Sequence, residues 1–568
     1  MNHVNLQLLE VGISEQLARG IPHEEMDQSI ETNTCYSCFF KPTTPEEVLK
    51  LIKELDSNKA TGSDGIDVRA LKECKHEVAE LFSKLVNHCL TVGVVPSEMK
   101  TARVSPIFKD GDRESSTNYR PVSVLPVFSK LFEKLINIRL AHYLKQIGFL
   151  YEYQYGFRGS SDTSSATVDM VCDIQSQMEK GMKCALVSLD LRKAFDTVNH
   201  KILLGKLDKL GIRGICFDLF KSYLSDRRQR VLVNGVLSSE KCINTGVPQG
   251  SILGPTLFLI YINSLSKLQL KGGLRLYADD ALLLYFNKSN DNIQQGILQD
   301  LDMVSKWLRS HILTLNIDKS SFMFIANKNK NQHVLKNLVF NNQTLKNVNV
   351  IKYLGLYIDQ CMTWENHINH IQNKIAPPIG ILKRLSYTVP AYLLRSVYFS
   401  LIHSHLQYLV LAWYPTCEKY VKNLRILQNK AIKNIYSLPH RFRTKSLYTN
   451  YNIVNLDNMY NLQVCLYIHG ILSKSRHSNL SLNIRNQFHE YYTRQQDHIE
   501  LPTAQSRFMR NSILYRGAKI YNNLPPSFKP LHMKQFKKKI KSHFPLSLSL
   551  VSFEVCKFSY ITKKLSFS

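Results

Sequence analysis

The sequence predicts an α+β protein in which strands and helices interleave to about residue 360 and a mostly α-helical, basic C-terminal region follows. Three observations carry this. Leu274–Phe286, reading LRLYADDALLLYF, sets strand-forming residues on both sides of Asp279 and Asp280, the pattern of a β-hairpin with two carboxylates at its turn. Short apolar runs such as Ala185–Leu189 alternate with segments of helical period. Beyond about residue 360 helical spacing dominates, and the last hundred residues are basic and aromatic.

The acidic hairpin is the centre of the reading. Adjacent carboxylates repel each other and resist burial, so a pair between apolar strands needs a counter-charge. A hard divalent cation such as Mg²⁺ takes carboxylate oxygens and shares itself with phosphates. An isolated Asp-Asp pair is equally a polar turn, so the rest of the chain decides.

Lys and Arg number 73 against 45 Asp and Glu, a net charge of +28 over 568 residues. An excess of this size points to a polyanionic partner, above all nucleic acid. The hydrophobic share of 44% suffices for buried cores, and the length suits two to four domains. Twelve cysteines lie scattered without a disulfide spacing, and Cys35-x-x-Cys38 has no second half that would make a zinc site. No secretory signal opens the chain, so an intracellular location, nuclear and/or cytoplasmic and not secreted, is expected. The longest apolar run, Ile252–Leu265, is too short and too interrupted for a membrane span, so no membrane partner is expected.

Residues 1–40 show no clear period and read as a linker or truncated remnant. Pro45–Leu55 is an amphipathic helix with Thr43 or Thr44 as its cap, and Leu71–Leu90 is a second helix. ARVSPIFKDGD ends a strand at Lys109, and NYRPVSVL begins the next at Arg120. A hairpin with one cation on each arm can grip a triphosphate, although either cation alone would pass for a solvated side chain. Val127–Leu144 is helical. Phe157 and Arg158, in the loop QYGFRGSSDT, could clasp a nucleic-acid strand or form a packing corner. Asp190 ends the apolar strand Ala185–Leu189, with Phe195 and Asp196 on the following turn and the helix Lys201–Leu210 after it. In TGVPQGSILGPTLF an irregular glycine-rich turn carries Gln249 and Gly250 ahead of an apolar helix. Ile297–Arg309 is a helix, Lys319 marks a turn before a strand, and Val350–Asp359 is a strand containing Gly355. Helices follow at 364–385, 390–413, 420–436 and 459–471, with Pro377-Pro378 and Val389-Pro390 expected to interrupt this helical region.

Asp190 at a strand end and Asp279 with Asp280 on a hairpin can meet at one sheet edge. Three such acids can hold two metal ions, which activate an attacking 3′-hydroxyl and stabilise a leaving pyrophosphate. Lys109 and Arg120 would neutralise the triphosphate. This constellation implies nucleotidyl transfer.

The blocks PIFKDGD, NYRPVSVL, QYGFRGSSDT, LDLRKAFDTV, GVPQGSILGPTLF, YADD, LNIDKSSFMF and KYLGLYID, in this order over about residues 45–360, resemble the reverse transcriptase of non-LTR (LINE-type) retrotransposons, most like the jockey and CR1 groups. TWENHINHIQNKI, HLQYLVLAW and ILQNKAIKNIY resemble the helical region that follows in those elements, and YYTRQ and YRGAKIYNNLPPSFK resemble their C-terminal tail.

The resemblance implies a right-hand polymerase with fingers and palm over 41–360, a helical thumb-like region over 361–450 and a basic C-terminal region over 451–568. It implies Asp190, Asp279 and Asp280 as ligands of two Mg²⁺ ions, with Mn²⁺ as a substitute. It implies Lys319 as the acid that protonates pyrophosphate, Lys109 and Arg120 on the triphosphate, and Phe195 as a steric gate against a ribose 2′-hydroxyl. Gln249 and Gly250 would shape the nucleotide pocket. Arg158, Tyr353 and Gly355 would contact nucleic acid, the latter two as a grip on the primer. The implied partners are an RNA template, a DNA primer and deoxynucleoside triphosphates. A separate endonuclease would have to nick the target, because only some forty residues precede the polymerase blocks and no CCHC knuckle is seen. A catalytically silent nucleic-acid-binding relic is the alternative. A ribonucleotide polymerase is disfavoured by Phe195.

Overall fold

In the computed structural model of the chain, residues 36–544 are described, apart from 59, 110, 116–117, 326–337, 341–342, 416–417, 452 and 486–496. The linker reading of 1–35, Cys35, the YYTRQ block and the tail after Phe544 lie outside the described residues.

The expected helix at Pro45 runs to Glu54, capped by the Thr44 hydroxyl, which accepts from the Glu47 amide. The expected helix Leu71–Leu90 is two helices, Val68–Glu73 and Lys75–Val92, broken at Cys74 where ψ reaches 33°. Strands β1 (Thr101–Phe108) and β2 (Tyr119–Val124) pair antiparallel, with Ile107 opposite Arg120. Helices Val127–Gln146 and Thr163–Glu179 precede β3 (Lys183–Asp190). Next come helix His200–Lys209 and a helix the sequence reading missed, Ile215–Leu224. Strands β4 (Arg227–Val233), β5 (Val236–Leu237) and β6 (Lys241–Ile243) complete a sheet in the order β2-β1-β4-β5, with β6 on β4.

The second sheet holds the acids. Strands β7 (Gly273–Tyr277) and β8 (Asp280–Asn287) form the predicted hairpin. Asp280 opens β8, and Asp279 is in the turn. Strand β9 (Ser321–Ile325) flanks β3 on its other side. The short pairs β10 (Val339–Phe340) with β11 (Gln343–Thr344), and β12 (Lys346–Asn347) on β9, lead to the hairpin of β13 (Val350–Tyr353) and β14 (Leu356–Asp359). The acid sheet reads β12-β9-β3-β8-β7.

Both faces of this sheet are covered. Ala185, Val187 and Leu189 of β3 face a core shared with helices of the first 345 residues other than Thr163–Glu179, while Cys184 and Leu186 face a second core shared with that helix and with elements from the β13–β14 hairpin to the last helix. Burial on both sides explains why β3 and β8 read as unbroken apolar runs rather than alternating ones. It also ties the C-terminal helices Glu365–Leu385, Glu418–Ile435, Leu456–Leu472 and Met533–His543 to the back of the sheet.

Three expectations are corrected here. Val350–Asp359 is a hairpin, because Leu354 and Gly355 take φ of +48° and +83°, the paired positive values of a tight strand turn. The helix from Glu365 runs through Pro377 and Pro378 to Leu385 instead of being interrupted there. Pro377 and Pro378 leave the carbonyls of Asn373 and Lys374 without a helical donor, and both residues are exposed. Expected helix 390–413 breaks at Tyr408, because Leu409 has φ +51°, and carries a π turn at Phe399–His403. Among the described residues no helix is long and apolar enough to cross a membrane.

Candidate active site

Register places the acids. Asp190, the last residue of β3, lies directly opposite Asp280, the first of β8, and Asp279 precedes it in the turn. The backbone of Asp190 is fixed from both sides: its amide donates to the Ser320 hydroxyl at 3.1 Å, and its carbonyl accepts from the Asn316 amide at 2.7 Å. Among the described residues no hydrogen bond reaches the Asp280 carboxylate, which opens to solvent. Desolvation by the surrounding protein, then repulsion from Asp279 and Asp190, pushes the Asp280 carboxyl up to about 6 against the pull of Lys109. Desolvation also raises Asp279, reinforced by Asp190 and opposed by its own backbone amide, Arg120 and Lys109. Thus the two hairpin cations expected to bind a triphosphate act on the acids across the site. Both are exposed and uncommitted to the core.

The three carboxylates have hard oxygen donors suited to a divalent cation. They do not form a ready-made site: among the described residues no group of three or more His, Cys, Asp or Glu side chains is disposed to hold a metal ion.

Phe195 stacks on Phe258 with ring centroids 4.5 Å apart, and Phe157 meets it edge-on at 6.1 Å. Gln249 donates from its amide nitrogen to both oxygens of Asp196, each at 2.9 Å. The Gln249 carbonyl accepts from the Ser123 amide at 2.7 Å, which joins the turn to β2. Gly250 is required here: a Cβ on it would lie 2.5 Å from the Ser123 carbonyl oxygen. Asp196 was given no role by the sequence reading. It is pushed up to about 6 by burial, countered by Gln249, Lys193 and Arg120.

A second group escaped the sequence altogether. Buried Glu133 accepts from the Tyr223 hydroxyl at 2.7 Å and from the Ile252 amide at 2.6 Å, close to buried Arg227. It pins the far end of the Gln249 turn. Nothing local marks Glu133, since its partners lie 90 and 119 residues away.

Three further expected residues, Arg158, Tyr353 and Lys319, lie away from the acid turn itself or in other surroundings. Arg158 donates to the Tyr151 carbonyl at 2.9 Å. Tyr353 is 3% exposed and belongs to the core. Its hydroxyl has no partner among the described residues. The exposed feature of that hairpin is the Leu354–Gly355 turn, whose Leu354 carbonyl accepts from the Tyr408 hydroxyl at 2.7 Å. Lys319 is exposed on the loop that also carries Asn316, and no ion pair joins it to the three acids among the described residues.

Residues 107–358 match the family described as reverse transcriptase (RNA-dependent DNA polymerase), and that stretch is a reverse transcriptase domain. The chain is 28% identical over 453 residues to the RNA-directed DNA polymerase from mobile element jockey of Drosophila melanogaster, covering 77% of this chain and 49% of that protein. It is 28% identical over 449 residues to the probable RNA-directed DNA polymerase from transposon BS of the same fly, with 77% and 49% covered. The chain spans about half the length of these relatives.

Proposed function

We propose that the chain is an RNA-directed DNA polymerase of a non-LTR retrotransposon, which extends a DNA 3′-hydroxyl on an RNA template. One observation carries it: in a reverse transcriptase domain, strand register sets Asp190 against Asp280, with Asp279 adjacent and two cations opposite. In this reading the β1–β2 sheet with its helices is the fingers, and the acid sheet is the palm, together covering 41–360. Residues 361–450 are the thumb-like region, and 451–568 the basic C-terminal region.

Lys109 and Arg120 bind the triphosphate of an incoming deoxynucleotide and offset charge that builds on it during transfer. Phe195, clamped between Phe258 and Phe157, presents a ring where a 2′-hydroxyl would need space. Gln249, held by Asp196, lines the same pocket with Gly250. Lys319 protonates the leaving pyrophosphate as general acid. Asp190, Asp279 and Asp280 would hold two divalent cations, Mg²⁺ or Mn²⁺, which supply Lewis-acid activation of the hydroxyl and of the departing pyrophosphate. The Leu354–Gly355 turn supports the primer end, with Tyr353 as its buried foot. The partners are RNA template, DNA primer and deoxynucleoside triphosphates.

The test is primer extension on oligo(dT)-annealed poly(rA) with dTTP and Mg²⁺, comparing the chain with its Asp279→Asn, Asp280→Asn variant. Extension by the first alone supports the reading. Silence in both, from folded protein that still binds the duplex, leaves the catalytically silent binding relic.

A further inference from the structure

We infer that residues 475–480, in the C-terminal region, are a positioning strap that holds the 152–162 loop against the acidic turn and the Phe195 ring. The inference rests on the polymerase reading above and assigns this part of the C-terminal region a place in the nucleotide site.

The strap leaves the end of helix Leu456–Leu472, where the amides of Ser475 and Arg476 both donate to the Gly470 carbonyl at 3.0 Å. Arg476 Nη1 donates to both oxygens of Asp162, at 2.8 and 2.7 Å, and to the Ser165 hydroxyl at 3.2 Å. Asp162 also caps helix Thr163–Glu179. The His477 amide donates to the Ser160 carbonyl at 2.8 Å, and its ring Nε2 lies 2.7 Å from the Glu152 carbonyl. Asn479 Nδ2 reaches the Glu152 carbonyl and the Tyr155 hydroxyl, each at 3.3 Å. The Ser478 hydroxyl and the Asn479 amide close on buried Asp169 at 2.5 and 2.8 Å. The strap therefore satisfies both ends of the loop from more than 300 residues away in sequence.

The other side of the loop bears on the site. Gln154 Oε1 accepts from the Ala278 amide at 3.0 Å and from the Gly156 amide at 2.9 Å. Tyr155 donates to the Leu276 carbonyl at 2.9 Å. A Cβ on Gly156 would stand 2.3 Å from the Ala278 nitrogen, so the loop sits flush on the turn that carries Asp279. Phe157 then reaches the Phe195 ring. Phe157 and Ala278 hold φ of +53° and +56°, values that non-glycine residues keep only where their surroundings over-determine them. The strap, the loop and the turn form one hydrogen-bonded unit that supplies this. A shift of about 1 Å at a reacting group costs up to about a hundredfold in rate, so Arg476, His477 and Asn479 are positioning residues.

The experiment is single-nucleotide incorporation by the full chain, dTTP against UTP, for wild type, Arg476→Ala, Phe157→Ala and the double variant. Arg476→Lys serves as the conservative replacement. Arg476→Ala is expected to lower kcat for dTTP by about tenfold or more, with template-primer affinity unchanged, and to narrow the deoxy-over-ribo preference. Because both changes act through one loop, the double variant should be no worse than the poorer single, and Arg476→Lys should recover part of the loss. Full additivity, or unchanged kcat and preference, overturns the strap. Asn479→Ala carries the same cycle if Arg476→Ala does not fold. If wild type incorporates nothing, the polymerase reading fails, and hydrogen exchange decides the strap separately. Faster exchange of the 276–279 amides in Asn479→Ala supports it, and unchanged exchange refutes it.

Discussion

Asp169 and Asp280 are both raised carboxyl groups, and they are opposite kinds of acid. Asp169 is 1% exposed and accepts from the Tyr155, Tyr467 and Ser478 hydroxyls and the Asn479 amide. Burial pushes it up, and those donors pull it back. Asp280 meets solvent, takes no hydrogen bond among the described residues, and is lifted by desolvation and by two neighbouring acids. An acid surrounded by donors is a joint that holds elements together. An acid set beside two other acids, with one cation across from it and no hydrogen-bond donor, adds little to stability and keeps its lone pairs for a ligand. The two regions should therefore fail in different ways.

The largest difference is in activity. Asp280→Asn should reduce nucleotide incorporation by at least about a thousandfold, while the melting temperature holds or rises because a repulsive charge is gone. A matching loss of thermal stability, seen by calorimetry, would erase the distinction. Asp169→Ala should invert the pattern. It strands two tyrosine hydroxyls and a backbone amide in the core and should cost about 3 kcal/mol in a denaturant titration. Stability within about 0.5 kcal/mol of wild type would show that the donors there are not a joint.

Asp196 sharpens the comparison because it shares both characters: it is held by Gln249, yet pushed from 3.8 up to about 6. For a carboxyl raised in the folded state, the protonated form favours folding. Its contribution is present below about 4 and is lost as the pH rises to about 6. Thermal melts across that window should show this loss in the wild type and a flatter profile in Asp196→Asn. An identical slope in both would remove Asp196 as the titrating group. The smallest effect expected is Tyr467→Phe, which deletes one of the Asp169 donors at 3.3 Å and should cost about 1 kcal/mol.

The acid site was legible because its determinants are local. Apolar runs 185–189 and 281–285 name the strands, and each ends or begins on an acid, so strand pairing alone brings Asp190 to Asp280. Lys109 and Arg120 were legible for the same reason, being on the two arms of one hairpin. The joints were not legible. Asp169 reads as one polar residue in a helix, and its partners Tyr467 and Ser478 lie 298 and 309 residues away. The hydrogen bond of Arg158 to a loop carbonyl and the burial of Tyr353 were likewise not readable from their blocks, which carry only local pattern. Gly355 was read inside a strand because periodicity does not register two successive positive φ values.

The most direct test of the central claim, that the strand-end acids await a cation, needs no turnover. Free Mn²⁺ is titrated against the chain by electron paramagnetic resonance, with dTTP and template-primer present, for wild type and for Asp279→Asn, Asp280→Asn. The account predicts protein-dependent loss of the free-ion signal in the wild type beyond that due to dTTP and duplex, and none in the variant. Equal signals from the two proteins would contradict it.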